Sequence, residues 1–249
     1  YGDTRDLHSF PTRRSSDLRQ EGGGGSVGNA GRYLKYNDKL ERMFSAVLQD
    51  VMDGMSGNYR EQCMDPKIRP LLPGMRAWGE AVTIRLEAVV SVPREPFQME
   101  MELIDDLREG QIIVARCDTP KLCAFWGGLL SNAAVGHKAA GVVCDGGVRD
   151  YNEIVELGFP VFSAGFSPYD SLGRMDGRER NVPVLCGGVR VAPGDLVFAD
   201  VDGVVAVPRD IVDEVVAKAW EKVRGEGTVR EALRKGAGVV ETFKKSGIL

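Results

Sequence analysis

Residues 126–150 read WGGLLSNAAVGHKAAGVVCDGGVRD, and this run says more about function than the rest of the chain together. Gly127 and Gly128 open a segment of helical character. Backbone N–H groups at a helix start have no intrahelical acceptor, so they point at whatever anion lies there. The apolar run from Ala139 to Cys144 predicts a buried strand that delivers Asp145, Gly146, Gly147, Arg149 and Asp150 to its end. A helix start beside a strand end is where α/β proteins place ligands. A glycine-rich turn carrying a surface ion pair has the same spacing, and Asp150 as no more than a cap of the following helix is the other plain alternative.

Upstream, Leu40, Phe44, Val47, Leu48, Val51 and Met55 follow helical spacing and Asn37 suits an N-cap, which predicts one amphipathic helix over 37–55. Arg76 to Leu86 reads as a strand, Phe97 to Leu107 as a helix ended by Gly110, and Gln111 to Ala115 as a buried strand. Downstream, a short helix from Asp150 to Leu157 precedes a strand from Pro160 to Ala164. Phe166 to Asn181 is polar and reads as a loop. In the β-rich run VLCGGVRVAPGDLVFADVDGVVAVP, Pro193-Gly194-Asp195 and Asp202-Gly203 mark turns between strands. Helices are predicted from Asp210 to about Arg224 and from Thr228 to about Lys235. Strands alternate with helices in the middle and the β-run comes late, which predicts an α/β layered domain with a mixed central sheet.

Residues 1–18, YGDTRDLHSFPTRRSSDL, resemble the conceptual translation of a sequencing-adapter oligonucleotide and are set aside as an artefact. Residues 19–36, which contain GGGGS, read as a flexible tail. That leaves 37–249 as a single domain by length. The formal charge of −4 makes sequence-independent nucleic-acid binding a poor expectation, because such binding needs a basic face. No apolar stretch approaches a bilayer span and no signal peptide is visible, so no membrane partner and a cytoplasmic location are expected. The five cysteines form no CxxC pair, and Cys144 and Cys186 sit in apolar runs as small core residues. With His8 in the excluded segment, a histidine-based zinc site or a Ser-His-Asp triad would rest on His137 alone, whose position near a helix end suits a solvated or capping role. Any metal is expected to be hard and oxygen-liganded.

At WGGLL, DGGVRD, LGFPVF, GGVRVAPGD and ADVDGVVAVP, in this order over roughly 37–249, the chain resembles the RraA-like family. That family includes the divalent-metal-dependent 4-hydroxy-4-methyl-2-oxoglutarate aldolases, which also decarboxylate oxaloacetate. The resemblance implies the swivelling β/β/α fold, a homotrimer or dimer of trimers, and an active site between subunits that takes a small 2-oxo acid. It further implies that Asp150 is the protein ligand to Mg²⁺ (or Mn²⁺) and that Arg149 donates to the substrate's C2 oxygen. The backbone N–H groups of Gly127, Gly128, Leu129 and Leu130 would hold the pyruvyl carboxylate. Glu226 corresponds to a glutamate supplied by a neighbouring subunit. The sequence departs from the aldolases at Gly128, where they carry an acid. Decarboxylation is then the easier reaction, because no hydroxyl proton has to be removed.

Two other readings stay open: a non-catalytic regulator that binds a ribonuclease, and a lyase for another hydroxy-oxo sugar acid. The residue after the arginine is an acid, Asp150, which the ribonuclease regulator lacks. Arg174, Arg178 and Arg180 fit either a reader of a second substrate carboxylate or a solvated loop. Asp145, Asp200 and Asp202 are expected to form turns.

Overall fold

The computed structural model describes residues 31–119 and 123–247; the expectations for 1–18 and for 19–30 lie outside these. The first half of the chain runs α1 (Asn37–Leu40), α2 (Ser45–Asp53), β1 (Arg69–Pro70), β2 (Ala77–Ala88), α3 (Gln98–Asp105) and β3 (Gln111–Asp118). The middle follows as β4 (Ala124–Trp126), α4 (Gly128–Gly136), β5 (Gly141–Val148), α5 (Tyr151–Leu157) and β6 (Val161–Phe166). The last part is β7 (Met175–Arg180), β8 (Val184–Cys186), β9 (Val189–Val191), β10 (Leu196–Ala199), β11 (Val204–Val207), α6 (Val212–Arg234) and α7 (Val239–Ser246).

The strands build a mixed sheet in the order β1-β6-β5-β3-β2-β10-β11, with β4 beside β5 and β7 beside the later half of β2. β2, β3, β5 and β6 run parallel, while β1, β7, β10 and β11 join antiparallel. The parallel interior explains the continuous apolar runs, since both faces of such strands are covered. In β3, Ile113 and Ala115 point to the layer of α3, α4 and α5, where Leu103, Ile104, Ala134 and Ile154 meet them. Ile112 and Val114 point the other way, onto the β8–β9 hairpin through Val184, Cys186, Val189 and Val191. Period-two alternation thus serves two cores. A third core seats α2 and α6 over Leu196, Phe198, Val205 and Val207 of β10 and β11. Each Leu, Ile or Phe so buried contributes about 1.5–3 kcal/mol. Among the described residues no helix is long and apolar enough to cross a membrane.

Four expectations need correction. The helix over 37–55 is two helices, because Asp200 accepts the Ser45 N–H at 2.8 Å and the Ser45 hydroxyl at 2.7 Å, starting α2 afresh. Arg76 satisfies the carbonyls of Glu41 and Met43 left by the break. The loop 166–181 contains β7, whose sequence MDGRER hides it. As an edge strand it is charged, with Arg178 paired to Glu87 and Arg180 to Glu102 and Asp106. The two C-terminal helices are one, α6, running through Gly225 and Gly227, and α7 follows it. Each glycine costs about 1 kcal/mol against alanine, and i,i+4 pairs such as Glu226–Arg230 work in the other direction. Finally, residues 31–36 pack against the domain: Gly31 N–H donates to the Glu109 carbonyl, and buried Tyr33 donates its hydroxyl to the Gly194 carbonyl at 2.6 Å.

Candidate active site

The segment DGGVRD shapes the site. The register between β5 and β6 shifts between Cys144 and Gly147, so Asp145 and Gly146 lie in a bulge. A Cβ on Gly146 would come within 2.6 Å of the Cys117 sulfur, which is why glycine stands there. β5 ends at Val148, the Arg149 N–H donates to the Trp126 carbonyl, and Asp150 adopts a left-handed conformation with φ 60° and ψ 40°. For a residue with a Cβ this costs about 1–2 kcal/mol, least for Asp and Asn. The turn brings sequence neighbours to one side, with Arg149 Nε 3.7 Å from Asp150 Oδ2. Neighbours on a regular strand would face opposite ways.

Asp150 occupies the residue before α5 yet makes no side-chain hydrogen bond to that helix. Its Oδ2 accepts instead from the backbone N–H of Gly128, at 3.0 Å, across the chain at the start of α4. The capping alternative therefore fails. Gly127 precedes α4 in extended conformation, and a Cβ there would sit 2.6 Å from Asp150 Oδ2. Leu129 and Leu130 follow in the first turn, where N–H groups lack helical acceptors. Glycine at 127 thus leaves room for the approach of the Asp150 carboxylate.

A side chain at position 128 would overlap the carboxylate of Glu153. Glu153 is held there by Asn132, whose amide donates to Glu153 Oε1 and to the Gly128 carbonyl, each at 2.9 Å. Sequence reasoning missed this residue. Its position in the first turn of α5, three residues after Asp150, carries it toward Gly128, which has no side chain of its own.

An open cleft of about 840 Å³ lies against Arg149 and Asp150, lined also by Leu71, Tyr151, Phe166 and Pro168 among others; Gly127, Gly128, Leu129, Leu130 and Glu153 are not among its lining residues. Tyr151 and Phe166 meet edge to face with ring centroids 5.6 Å apart. On the other side of Arg149, its Nη1 donates to Asp170 Oδ2 at 2.9 Å. Burial raises the Asp170 carboxyl, but the Leu172 N–H and the Arg149 guanidinium outweigh it and hold the group below its ordinary value.

The remaining predicted residues lie elsewhere in the protomer. Glu226 is on α6, paired with Arg230 at 3.2 Å, and is not among the residues lining the cleft. Arg178 and Arg180 are pinned along β7, and Arg174 lies 5.0 Å over the Tyr169 ring, donating to the carbonyls of Asp170 and Leu172. Asp145 accepts from the Cys117 N–H, the Gly187 N–H and Arg116, while Asp200 holds Ser45 and the Asp202 N–H. His137 is the C-cap of α4, its N–H donating to the Ala133 carbonyl. Among the described residues no three His, Cys, Asp or Glu side chains gather as a metal-binding set. The donors at the site are carboxylate oxygens, which suits a hard cation that keeps most of its water.

Comparison with known proteins adds independent findings. Residues 48–206 match the family model described as RraA-like, Aldolase/RraA. Protein DlpA of Legionella pneumophila is 31% identical over 78% of this chain and 31% of its own length, so the chain spans about a third of that relative. A Halalkalibacterium halodurans protein named as a candidate 4-hydroxy-4-methyl-2-oxoglutarate aldolase is 28% identical, over 80% of this chain and 89% of its own. Among solved structures, Streptomyces coelicolor RraAS2, described as an unusual member of the RNase ES inhibitor RraA protein family, superposes with a TM-score of 0.69. Its identity is 27%, and the match covers 79% of this chain and 96% of RraAS2.

Proposed function

Because the chain belongs to the RraA-like family, we propose that it is a divalent-cation-dependent lyase that releases pyruvate from a small 2-oxo acid. The reactions in question are decarboxylation of oxaloacetate and retro-aldol cleavage of a 4-hydroxy-4-methyl-2-oxoglutarate type of substrate. One observation carries this reading. The Asp150 carboxylate sits on a left-handed turn, released from its own helix, on the same side as Arg149 and against an open cleft.

Asp150, with water and substrate oxygens, would hold the cation, Mg²⁺ or Mn²⁺, which when bound supplies positive charge at the substrate's C2 oxygen. Arg149 donates to the same oxygen. When the C3–C4 bond breaks, its electron pair moves into C2–C3 and negative charge grows on the C2 oxygen, which a guanidinium stabilises more than it stabilises the ketone. The first-turn N–H groups of α4 take the pyruvyl carboxylate, with that of Gly128 engaged by Asp150. In decarboxylation carbon dioxide departs with C4 and C3 then takes up a proton. In aldol cleavage the C4 hydroxyl must also lose its proton. Glu153 occupies the volume of a residue-128 side chain and is the chain's own candidate for moving these protons. Glu226 from a neighbouring copy is the second. Leu129 at 83%, Phe166 at 55% and Tyr169 at 44% exposure leave apolar surface around the site, which supports a neighbouring copy covering it; the trimer or dimer of trimers itself is implied by the family resemblance.

A coupled lactate dehydrogenase assay tests the proposal with oxaloacetate and with 4-hydroxy-4-methyl-2-oxoglutarate. Pyruvate should form with Mg²⁺ or Mn²⁺ and stop when a chelator is added. No pyruvate from any 2-oxo diacid, together with micromolar binding to a ribonuclease, would replace the enzyme by the regulator.

A further inference from the structure

The Arg149 guanidinium lies between two carboxylates, and its two contacts are unequal. Nη1 makes a direct, charge-assisted hydrogen bond to Asp170 Oδ2 at 2.9 Å, whereas Nε stands 3.7 Å from Asp150 Oδ2, beyond hydrogen-bond length. Asp170 is itself fixed: Oδ1 accepts the Leu172 N–H at 3.0 Å, and its carbonyl accepts Arg174 Nη1 at 3.0 Å. The loop around it is tied to β4 through the Ala124 N–H and the Tyr169 carbonyl, at 2.7 Å, and to β7 through Ser171. Asp170 belongs to a different loop from the DGGVRD segment, so it can hold the arginine independently of Asp150.

We propose that Asp170 is a positioning residue that tethers the Arg149 guanidinium away from Asp150, keeping the Asp150 carboxylate open for a cation and the arginine aimed at the substrate oxygen. The role rests on the functional reading of Arg149 and Asp150 given above. Physically, a guanidinium without this tether would close the short remaining gap to Asp150. Tightening the 3.7 Å ion pair to a direct hydrogen bond would compete with any cation for the same oxygen and turn the donor away from the cleft.

The experiment uses the full chain, labelled with ¹⁵N-arginine, as Asp170→Asn, Asp170→Glu, Arg149→Ala and the Arg149→Ala/Asp170→Asn double variant. Side-chain Nη resonances of Arg149, assigned by their loss in Arg149→Ala, should be resolved in the parent because the guanidinium is held. They should become averaged in Asp170→Asn and reappear in Asp170→Glu. Mn²⁺ binding followed by electron paramagnetic resonance should weaken about tenfold in Asp170→Asn, the scale for losing a group that orients a first contact. In the double variant, removing the tether should cost nothing beyond Arg149→Ala. Circular dichroism melts check that each variant folds, and Asp170→Glu carries the comparison should Asp170→Asn not fold. An unchanged, resolved Arg149 signal with unchanged Mn²⁺ affinity in a folded Asp170→Asn would overturn the proposal, as would additive losses in the double variant. Absence of pyruvate from the parent, with the Arg149 signal still dependent on Asp170, would instead sink the lyase reading and leave the tether standing.

Discussion

Asp145 and Asp150 are the two ends of the six-residue DGGVRD segment and have opposite fates. Asp145 lies in the bulge of β5 with its side chain 10% exposed, and it takes three donors: two backbone N–H groups and the Arg116 guanidinium at 2.7 Å. Asp150 lies past the strand end with its side chain 42% exposed, takes the single N–H of Gly128, and keeps Arg149 at arm's length. The first carboxylate is used up by the fold, joining β3, β5 and the β8–β9 hairpin. The second is left under-coordinated against a cleft, on a backbone conformation that costs energy to hold. A buried acceptor with its lone pairs satisfied stabilises; one kept short of partners is available to a ligand.

This contrast breaks most sharply at Asp150. Asp150→Asn should lower pyruvate release at least ~1000-fold, the scale of losing a main electrostatic group, with the melting temperature nearly unchanged because Asn tolerates the left-handed turn. Steady-state kinetics beside a thermal melt checks this, and near-normal turnover would put the cation elsewhere. Asp145→Ala should do the reverse. Unfolding in urea should show a loss of about 2–3 kcal/mol, since two backbone donors and a half-buried arginine lose their acceptor, while the folded fraction stays active. Glu153→Gln should reduce aldol cleavage roughly 10- to 100-fold and oxaloacetate decarboxylation less, because only the former must remove a hydroxyl proton. Equal losses on both substrates would separate Glu153 from proton transfer.

A third carboxylate extends the series to its limit. Glu100 on α3 is 3% exposed, and its Oε2 finds no hydrogen-bond partner among the described residues. Burial, with a smaller push from Asp176, raises its carboxyl from 4.5 to about 7. The folded state therefore binds the proton more tightly than the unfolded chain. The stability this confers is complete below the unfolded value near 4.5 and is lost as pH rises through about 7. Glu100→Gln should remove that slope and leave the protein about 1–2 kcal/mol more stable than the parent at pH 8, measured by denaturant unfolding at pH 5 and pH 8. A parent with no such slope would show that Glu100 finds a partner in solution.

The sheet interior and the Arg149–Asp150 corner were legible because parallel strands covered on both faces are written as apolar runs, and because two glycines before Arg-Asp announce an irregular turn. β7 was not legible. An edge strand keeps water on one side and needs charge to discourage pairing, so MDGRER reads as loop. The break before Ser45 depends on Asp200, far along the chain, and no local pattern reports a capping group that arrives through the fold. Glu153 was hidden for a related reason. Its importance comes from the empty volume at Gly128, and a missing side chain signals nothing until the neighbour that fills its place is seen. Glu226 was suggested by likeness alone, and in this protomer it pairs with Arg230 on its own helix.

The most direct test of the under-coordinated carboxylate is a crystal structure of the chain with Mn²⁺ and oxalate, an analogue of the pyruvate enolate. The account predicts anomalous density for the cation on Asp150, with oxalate between it, Arg149 and the first turn of α4. An empty cleft at saturating Mn²⁺ and oxalate, with Asp150 still bound only to the Gly128 N–H, would contradict it.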